Sequence, residues 1–212
     1  MNANYMFSIS IDKNRYDIQC SNFEKVGLPR PELFEGLKKE PDNEIGCLYS
    51  HICLLMLCRH LNFPFYFCFE DDAYPRKDVS EKLTYYINNR PKDCGILVLG
   101  RNGQFGQVEW NGDNYYIIRE RPFGAHAYIV FRECYNDLLN SFEIQRIADM
   151  ALRGNNFKDK KPYWTREYLF IQDNIDNKCM STNFSKKGRY FYPDKDGNLS
   201  CSNDLPPLFE KI

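Results

Sequence analysis

Phe65-Tyr-Phe-Cys-Phe69 is apolar at every position and stops abruptly at Glu70-Asp71-Asp72. A strand with one wet face alternates apolar and polar residues, whereas a run without alternation is covered on both faces. Such a run belongs in the middle of an α/β sheet, and it sets the expectation for the whole chain. It also places three carboxylates where a buried strand surfaces. In open α/β sheets, ligands bind just beyond the carboxyl ends of the strands.

The neighbouring segments fit this frame. Residues 6–11 predict a first strand, closed by the polar cluster Asp12-Lys13-Asn14-Arg15. Residues 17–42 are mixed, with Gly27, Pro29, Pro31 and Pro41 as breakers. Residues 44–60 predict a helix, because Ile45, Leu48, Ile52, Leu55 and Met56 share one face. Residues 78–89 predict a helix and 94–99 a second apolar strand. Residues 100–106 and 110–114 read as loops, 115–118 and 127–131 as strands, and 133–141 and 143–152 as helices. Beyond Arg153 the chain is polar, aromatic and without period, which predicts irregular structure wrapped on the core and a loose tail from about residue 194. Strands alternating with helices predict an α/β fold, a mainly parallel central sheet flanked by helices.

A chain of 212 residues has the size of one large domain. Lys plus Arg is 28 and Asp plus Glu is 29, so the net charge of −1 argues against a polyanion binder, and no nucleic-acid partner is expected. The nine cysteines form no CxxC pair. The N-terminus has no basic region followed by an apolar run, and no window approaches the roughly 20 apolar residues of a membrane span. The expectation is reduced thiols, a cytoplasmic location with at most peripheral membrane contact, and no consequence for the N-x-S sequons at Asn183 and Asn198.

Two carboxylates ~5 Å apart at an effective dielectric near 20 repel by about 3 kcal/mol. A divalent cation removes that cost, and Mg²⁺ and Mn²⁺ prefer oxygen ligands. The alternative is a solvated acidic turn leading into Ala73-Tyr74-Pro75, and the residues alone leave both open.

The run Glu44-Ile-Gly-Cys-Leu-Tyr-Ser-His51, followed by Phe69-Glu-Asp-Asp-Ala73, resembles glycosyltransferase family 25, the lipooligosaccharide galactosyltransferases and their collagen-modifying relatives. That family shows an E-I-G-C-x-x-S-H helix and then a hydrophobic strand ending in E-D-D-A. Gly124-Ala-His-Ala-Tyr-Ile-Val130 resembles its G-T-x-A-Y-x-I strand, with Ala125 in the Thr position. The segment to Leu139 resembles its K-x-L-L stretch. Ala148-Asp149 resembles its P-x-D site without the Pro, and Phe170-Ile-Gln172 its P-x-x-x-Q, again without the Pro. Ile9-Ser-Ile-Asp-Lys-Asn-Arg15 resembles I-N-L-D-x-x-x-R, with Ser10 replacing Asn. The resemblance covers roughly residues 5–182, which predicts one domain over 1–182 and an irregular extension over 183–212.

The resemblance implies a GT-A-like, Rossmann-like fold, a UDP-sugar donor, Mn²⁺ or Mg²⁺, and an oligosaccharide or lipid-linked glycan acceptor. Glu70, Asp71 and Asp72 match the D-x-D-like site. Asp72, with Glu70, is the candidate metal ligand, and Glu70 is also a candidate for the ribose or uracil side. Arg15 is expected near the nucleotide, where its planar fork suits a diphosphate. The family inverts the anomeric centre, so a carboxylate must take the acceptor proton, and Asp149 is the candidate base.

Other residues carry paired readings. His51 is either a donor to substrate or phosphate, or a structural histidine on a backbone carbonyl. Cys47 and His51, at i and i+4, could suggest zinc, but Cys53 points away and Cys58 lies about two turns, roughly 10 Å, beyond, too far for one ion, so no zinc site is expected. His126 lines an acceptor pocket or packs. The glycine-rich 100–106 stretch is not a dinucleotide fingerprint. Trp110, Tyr115 and Tyr116 form a sugar platform or core, and Trp164 with Tyr163 and Arg166 is the expected acceptor surface. Three functions compete: an inverting, metal-dependent glycosyltransferase, a degenerate member that binds sugar nucleotide or a partner enzyme without turnover, and a metal-dependent phosphohydrolase.

Overall fold

The computed structural model describes residues 3–40, 42–100, 108–110, 114–118, 125–145, 148–152, 154–173, 190–193, 199–202 and 209. The first strand, β1 (Met6–Ser10), leads into α1 (Lys13–Lys25), β2 (Glu32–Glu35), α2 (Asn43–His60) and β3 (Phe65–Glu70). A short β4 (Ala73–Pro75) precedes α3 (Val79–Asn88) and β5 (Cys94–Val98). Then come β6 (Val108–Trp110), β7 (Tyr115–Ile118), β8 (Ala127–Phe131), α4 (Tyr135–Ile144), α5 (Ala148–Ala151), β9 (Lys161–Thr165), β10 (Phe170–Asp173), β11 (Tyr190–Pro193) and β12 (Leu199–Ser202).

The main sheet runs β2-β1-β3-β8-β5-β9-β7-β6. Following the pairings across it, β2, β1, β3, β5, β9 and β6 point one way and β8 and β7 the other. The expected α/β sheet, mainly parallel in strand direction, is therefore the one found. From β1 the chain first moves outward through α1 to β2, then returns through α2 to β3 on the other side of β1. The carboxyl ends of β1 and β3 thus flank a topological switch point, the place where open α/β sheets bind ligands.

The non-alternating β3 does divide its side chains between two apolar layers. Tyr66 and Cys68 pack with Leu48, Leu55 and Cys58 of α2 and with Leu138 and Phe142 of α4. Phe67 and Phe69 pack with Phe23 of α1 and with Leu83 and Tyr86 of α3. The sheet is the middle layer of three.

Three sequence expectations are corrected. The polar cluster at residues 12–15, expected only to close the first strand, opens a helix, because the Asp12 carboxylate accepts the Asn14 and Arg15 amides as an N-cap. The described residues beyond Arg153 include regular structure where none was expected: β9 lies between β5 and β7. In the chain's last part, β12-β11-β10-β4 form a second, antiparallel sheet, and Phe209 is buried against Tyr74 and Tyr168. The two helices expected over 133–152 are α4 and a single turn, α5. No helix among the described residues is long and apolar enough to cross a membrane.

Candidate functional site

Parallel pairing sets Ile9 opposite Glu70, so the chain leaves β1 and β3 side by side. The Asp12 cap turns it into α1 and places Arg15 in the first helical turn. From there Arg15 Nη2 reaches Asp71 Oδ1 at 2.9 Å and Asp72 Oδ2 at 3.8 Å. Ser10 Oγ donates to Asp71 Oδ2 at 2.6 Å. Gln172 Nε2, on β10, donates to Asp72 Oδ2 at 2.7 Å. Asp72 Oδ1 is buried with no hydrogen-bond partner among the described residues.

Both aspartates are about nine-tenths buried, 8% and 9% exposed. Burial pushes the Asp71 carboxyl up to about 6, although Arg15 and Ser10 pull it down. Burial, followed by the nearby Glu70 charge, pushes Asp72 well above the carboxylate range. The pair is short of positive charge despite Arg15.

Glu70 belongs to a different set of contacts. Its Oε1 lies 3.1 Å from His51 Nε2 and accepts from the Cys47 thiol at 3.5 Å. Burial would raise the Glu70 carboxyl, but the hydrogen bond and charge of His51 outweigh it and the net direction is down. His51 is fully buried, and its Nδ1 is 2.7 Å from Tyr128 Oη. Burial pushes the Cys47 thiol up to about 12. The helix that carries Cys47 and His51 is held close: a Cβ on Gly46 would meet the Leu37 carbonyl oxygen and lie 3.0 Å from the Lys39 nitrogen.

The opposite wall comes from the start of β8. The Glu70 amide donates to the His126 carbonyl at 2.9 Å. The Ala125 amide donates to Asp149 Oδ1 at 2.7 Å, which ties α5 to this end of the sheet. His126 is buried, and burial pushes its imidazole below the usual range. Its ring fills the space where a side chain on Gly100 would sit.

The expected residues therefore fall into three groups. Arg15, Asp71 and Asp72 stand together, and Glu70 and His51 stand together with Cys47. Asp149 faces them from α5, and its charge acts on the Cys47 thiol. His51 bonds neither a backbone carbonyl nor open solvent but the side chains of Glu70, Tyr128 and Cys68. Cys53 is exposed and Cys58 is buried in the core, and Glu70 stands beside Cys47 and His51 instead of either. Two of the three residues of the expected acceptor surface are core: Trp164 and Tyr163 are 1% and 3% exposed, on opposite faces of the central strand β9, and Arg166 alone is exposed. Tyr115 is also core. The side chain of Trp110, residues 101–107, Gly124 and Ile147 lie outside the described residues. The sequence does not announce Ser10 or Tyr128 as contacts. Cys47 was legible, since it shares a helix edge with His51.

No individually curated protein is significantly similar to the chain in sequence. Among solved structures, a glycosyltransferase involved in the glycosylation of the major capsid of PBCV-1 superposes with a TM-score of 0.44 at 11% identity. It covers 65% of this chain and 64% of that one. The A197 protein from STIV gives 0.47 at 12% identity over 97% and 95%. A Drosophila β-1,4-galactosyltransferase 7 variant, in complex with manganese, UDP-Gal and xylobiose, gives 0.37 at 13% identity over 78% and 68%. The profile of Glycosyltransferase family 25 (LPS biosynthesis protein) matches residues 38–145, a stretch running from the approach to α2 through β3 and β8 to the end of α4. That stretch is half of the chain and holds Cys47, His51, Glu70, Asp71 and Asp72, and the chain belongs to glycosyltransferase family 25.

Proposed function

We propose that the protein moves a sugar, galactose by expectation, from a UDP-sugar to a hydroxyl of an oligosaccharide or lipid-linked glycan. The reaction inverts the anomeric carbon and uses Mn²⁺ or Mg²⁺. The observation that supports this most is Asp72 Oδ1, buried and without a hydrogen-bond partner among the described residues, beside an aspartate already committed to Arg15 and Ser10. A buried acceptor left unsatisfied costs about 1–3 kcal/mol, and a hard divalent cation offers what it lacks. Asp72 is the main ligand in this reading. Glu70 has turned one oxygen to His51 and Cys47, and leaves the other for the cation or the nucleotide.

A bound cation offsets charge that develops on the departing diphosphate. Arg15 adds its planar fork to the same charge. The acceptor oxygen bonds to the anomeric carbon as the bond from that carbon to the diphosphate oxygen breaks, and UDP departs with the electron pair. The hydroxyl proton passes to Asp149, whose orientation is set by the Ala125 amide. The site stands in the cytoplasm in this reading, and a lipid-linked acceptor is met by peripheral contact alone.

The test combines thermal shift with turnover. UDP with Mn²⁺ raises the melting temperature more than either alone. A panel of UDP-sugars yields transfer or slow donor hydrolysis, and Asp72→Ala loses both while keeping its circular dichroism. Full transfer by Asp72→Ala overturns the metal assignment. Nucleotide binding without turnover across the panel reduces the protein to a sugar-nucleotide binder, and release of phosphate from simple esters makes it a phosphohydrolase.

A further inference from the structure

Cys47 and His51 are not used by the proposed transfer, and Glu70 enters it only through its other carboxylate oxygen, yet the three converge. Their Sγ, ring nitrogen and carboxylate oxygen all lie within 4.8 Å of one another. We propose that these three side chains form a second cation site, specific for a borderline-soft divalent metal of the zinc type and separate from the oxygen-lined corner at Asp72.

The geometry is close to what such an ion requires. Tetrahedral zinc, with Zn–S about 2.3 Å and Zn–O and Zn–N about 2.0 Å, sets sulfur and oxygen about 3.5 Å apart and nitrogen and oxygen about 3.3 Å apart. The separations are 3.5 Å from Cys47 Sγ to Glu70 Oε1 and 3.1 Å from His51 Nε2 to the same oxygen. Cys47 and His51 come from successive turns of α2, and Glu70 from the end of β3. The ion would therefore link a helix to the strand it covers.

The outer contacts suit the role. With Nε2 on the metal, His51 Nδ1 keeps its proton and donates it to Tyr128 Oη at 2.7 Å. Ligating histidines ordinarily hold their second nitrogen in this way, which fixes the ring and raises its basicity. Binding displaces the Cys47 thiol proton, so the metal carries a thiolate, a histidine and a carboxylate with no net charge left over. The Glu70 side chain is 25% exposed, which leaves the fourth position to water. The ligand set separates the two sites: sulfur and imidazole select zinc, whereas oxygen alone suits Mg²⁺ and Mn²⁺.

The experiment uses Co²⁺ as a spectroscopic stand-in, added to the full chain after dialysis against chelator. One equivalent per chain should give thiolate-to-cobalt charge-transfer absorption and the strong visible bands of a four-coordinate ion, and Zn²⁺ should bleach both. Cys47→Ser should lose the charge-transfer band, while Cys53→Ser on the exposed side of α2 and Asp72→Asn should keep it. Tyr128→Phe should weaken cobalt affinity by about 10–100-fold. A native chain without the thiolate band, or a band surviving in Cys47→Ser, overturns the site. Should Cys47→Ser fail to fold, alkylation of the native chain decides: Zn²⁺ must slow modification of Cys47 at least about 10-fold and leave Cys53 unchanged, and equal rates overturn the proposal. None of these readouts depends on sugar transfer, so a failure here leaves the proposed activity untouched.

Discussion

Asp71 should make the metal-free protein less stable as pH rises, the reverse of a usual paired carboxylate. Its carboxyl is pushed from an ordinary 3.8 to about 6 by burial. Between those values the folded chain holds a proton that the unfolded chain has released. Stability is therefore greatest below about pH 4, falls through the window to about pH 6, and is flat above it. At about 1.36 kcal/mol per pH unit the gap is worth about 3 kcal/mol, which for a chain of this length is roughly 6–12 °C in melting temperature. Other carboxylates titrate in the same range, so the quantity to measure is a difference. Asp71→Asn keeps an acceptor for Ser10 and Arg15 and removes the titration. Wild type minus Asp71→Asn, followed by calorimetry in chelator from pH 4 to pH 7, should drop by roughly that amount as pH rises. A flat or rising difference would show that the Arg15 pair outweighs burial, and with it would go the reasoning that this corner lacks positive charge.

Three further outcomes are expected. Mn²⁺ should raise the melting temperature at pH 7.5 more than at pH 5, because Asp72 is pushed well above the carboxylate range and a cation must displace its proton; an equal shift at both values counts against Asp72 as ligand. Trp164→Ala should cost about 3–5 kcal/mol in urea unfolding, since the side chain is core; a stable variant with only a raised acceptor KM would restore the surface reading. Gly46→Ala should cost about 1–3 kcal/mol, because its Cβ meets the backbone at Leu37 rather than a movable side chain; an unchanged denaturation midpoint would contradict that close approach.

The sequence disclosed the strands whose burial leaves a mark. β3 and β5 are unbroken apolar runs, and α2 repeats at helical spacing. β9 left no such mark. Lys161-Pro-Tyr-Trp-Thr165 carries a proline, which argues against a central strand. The chain accommodates it where the pairing with β5 slips, between Cys94 and Ile96, with Pro162 opposite Ile96. α1 was hidden because its cap, Asp12, looks the same in sequence as a turn residue. The acidic corner was legible from three adjacent carboxylates at a strand end. Its division was not: alternation sends Glu70 toward α2 and Asp71 toward α1, and only the packed neighbours show that the three acids serve two different sets of partners.

β8, reversed between β3 and β5, gives this end of the sheet two walls of opposite strand polarity. One is made where strands finish, and carries Arg15, Asp71 and Asp72. The other is made where a strand begins, and carries the Ala125 amide that aims Asp149. Under the proposed transfer, substitutions on the incoming wall retune what receives the sugar while the outgoing wall keeps its grip on what donates it.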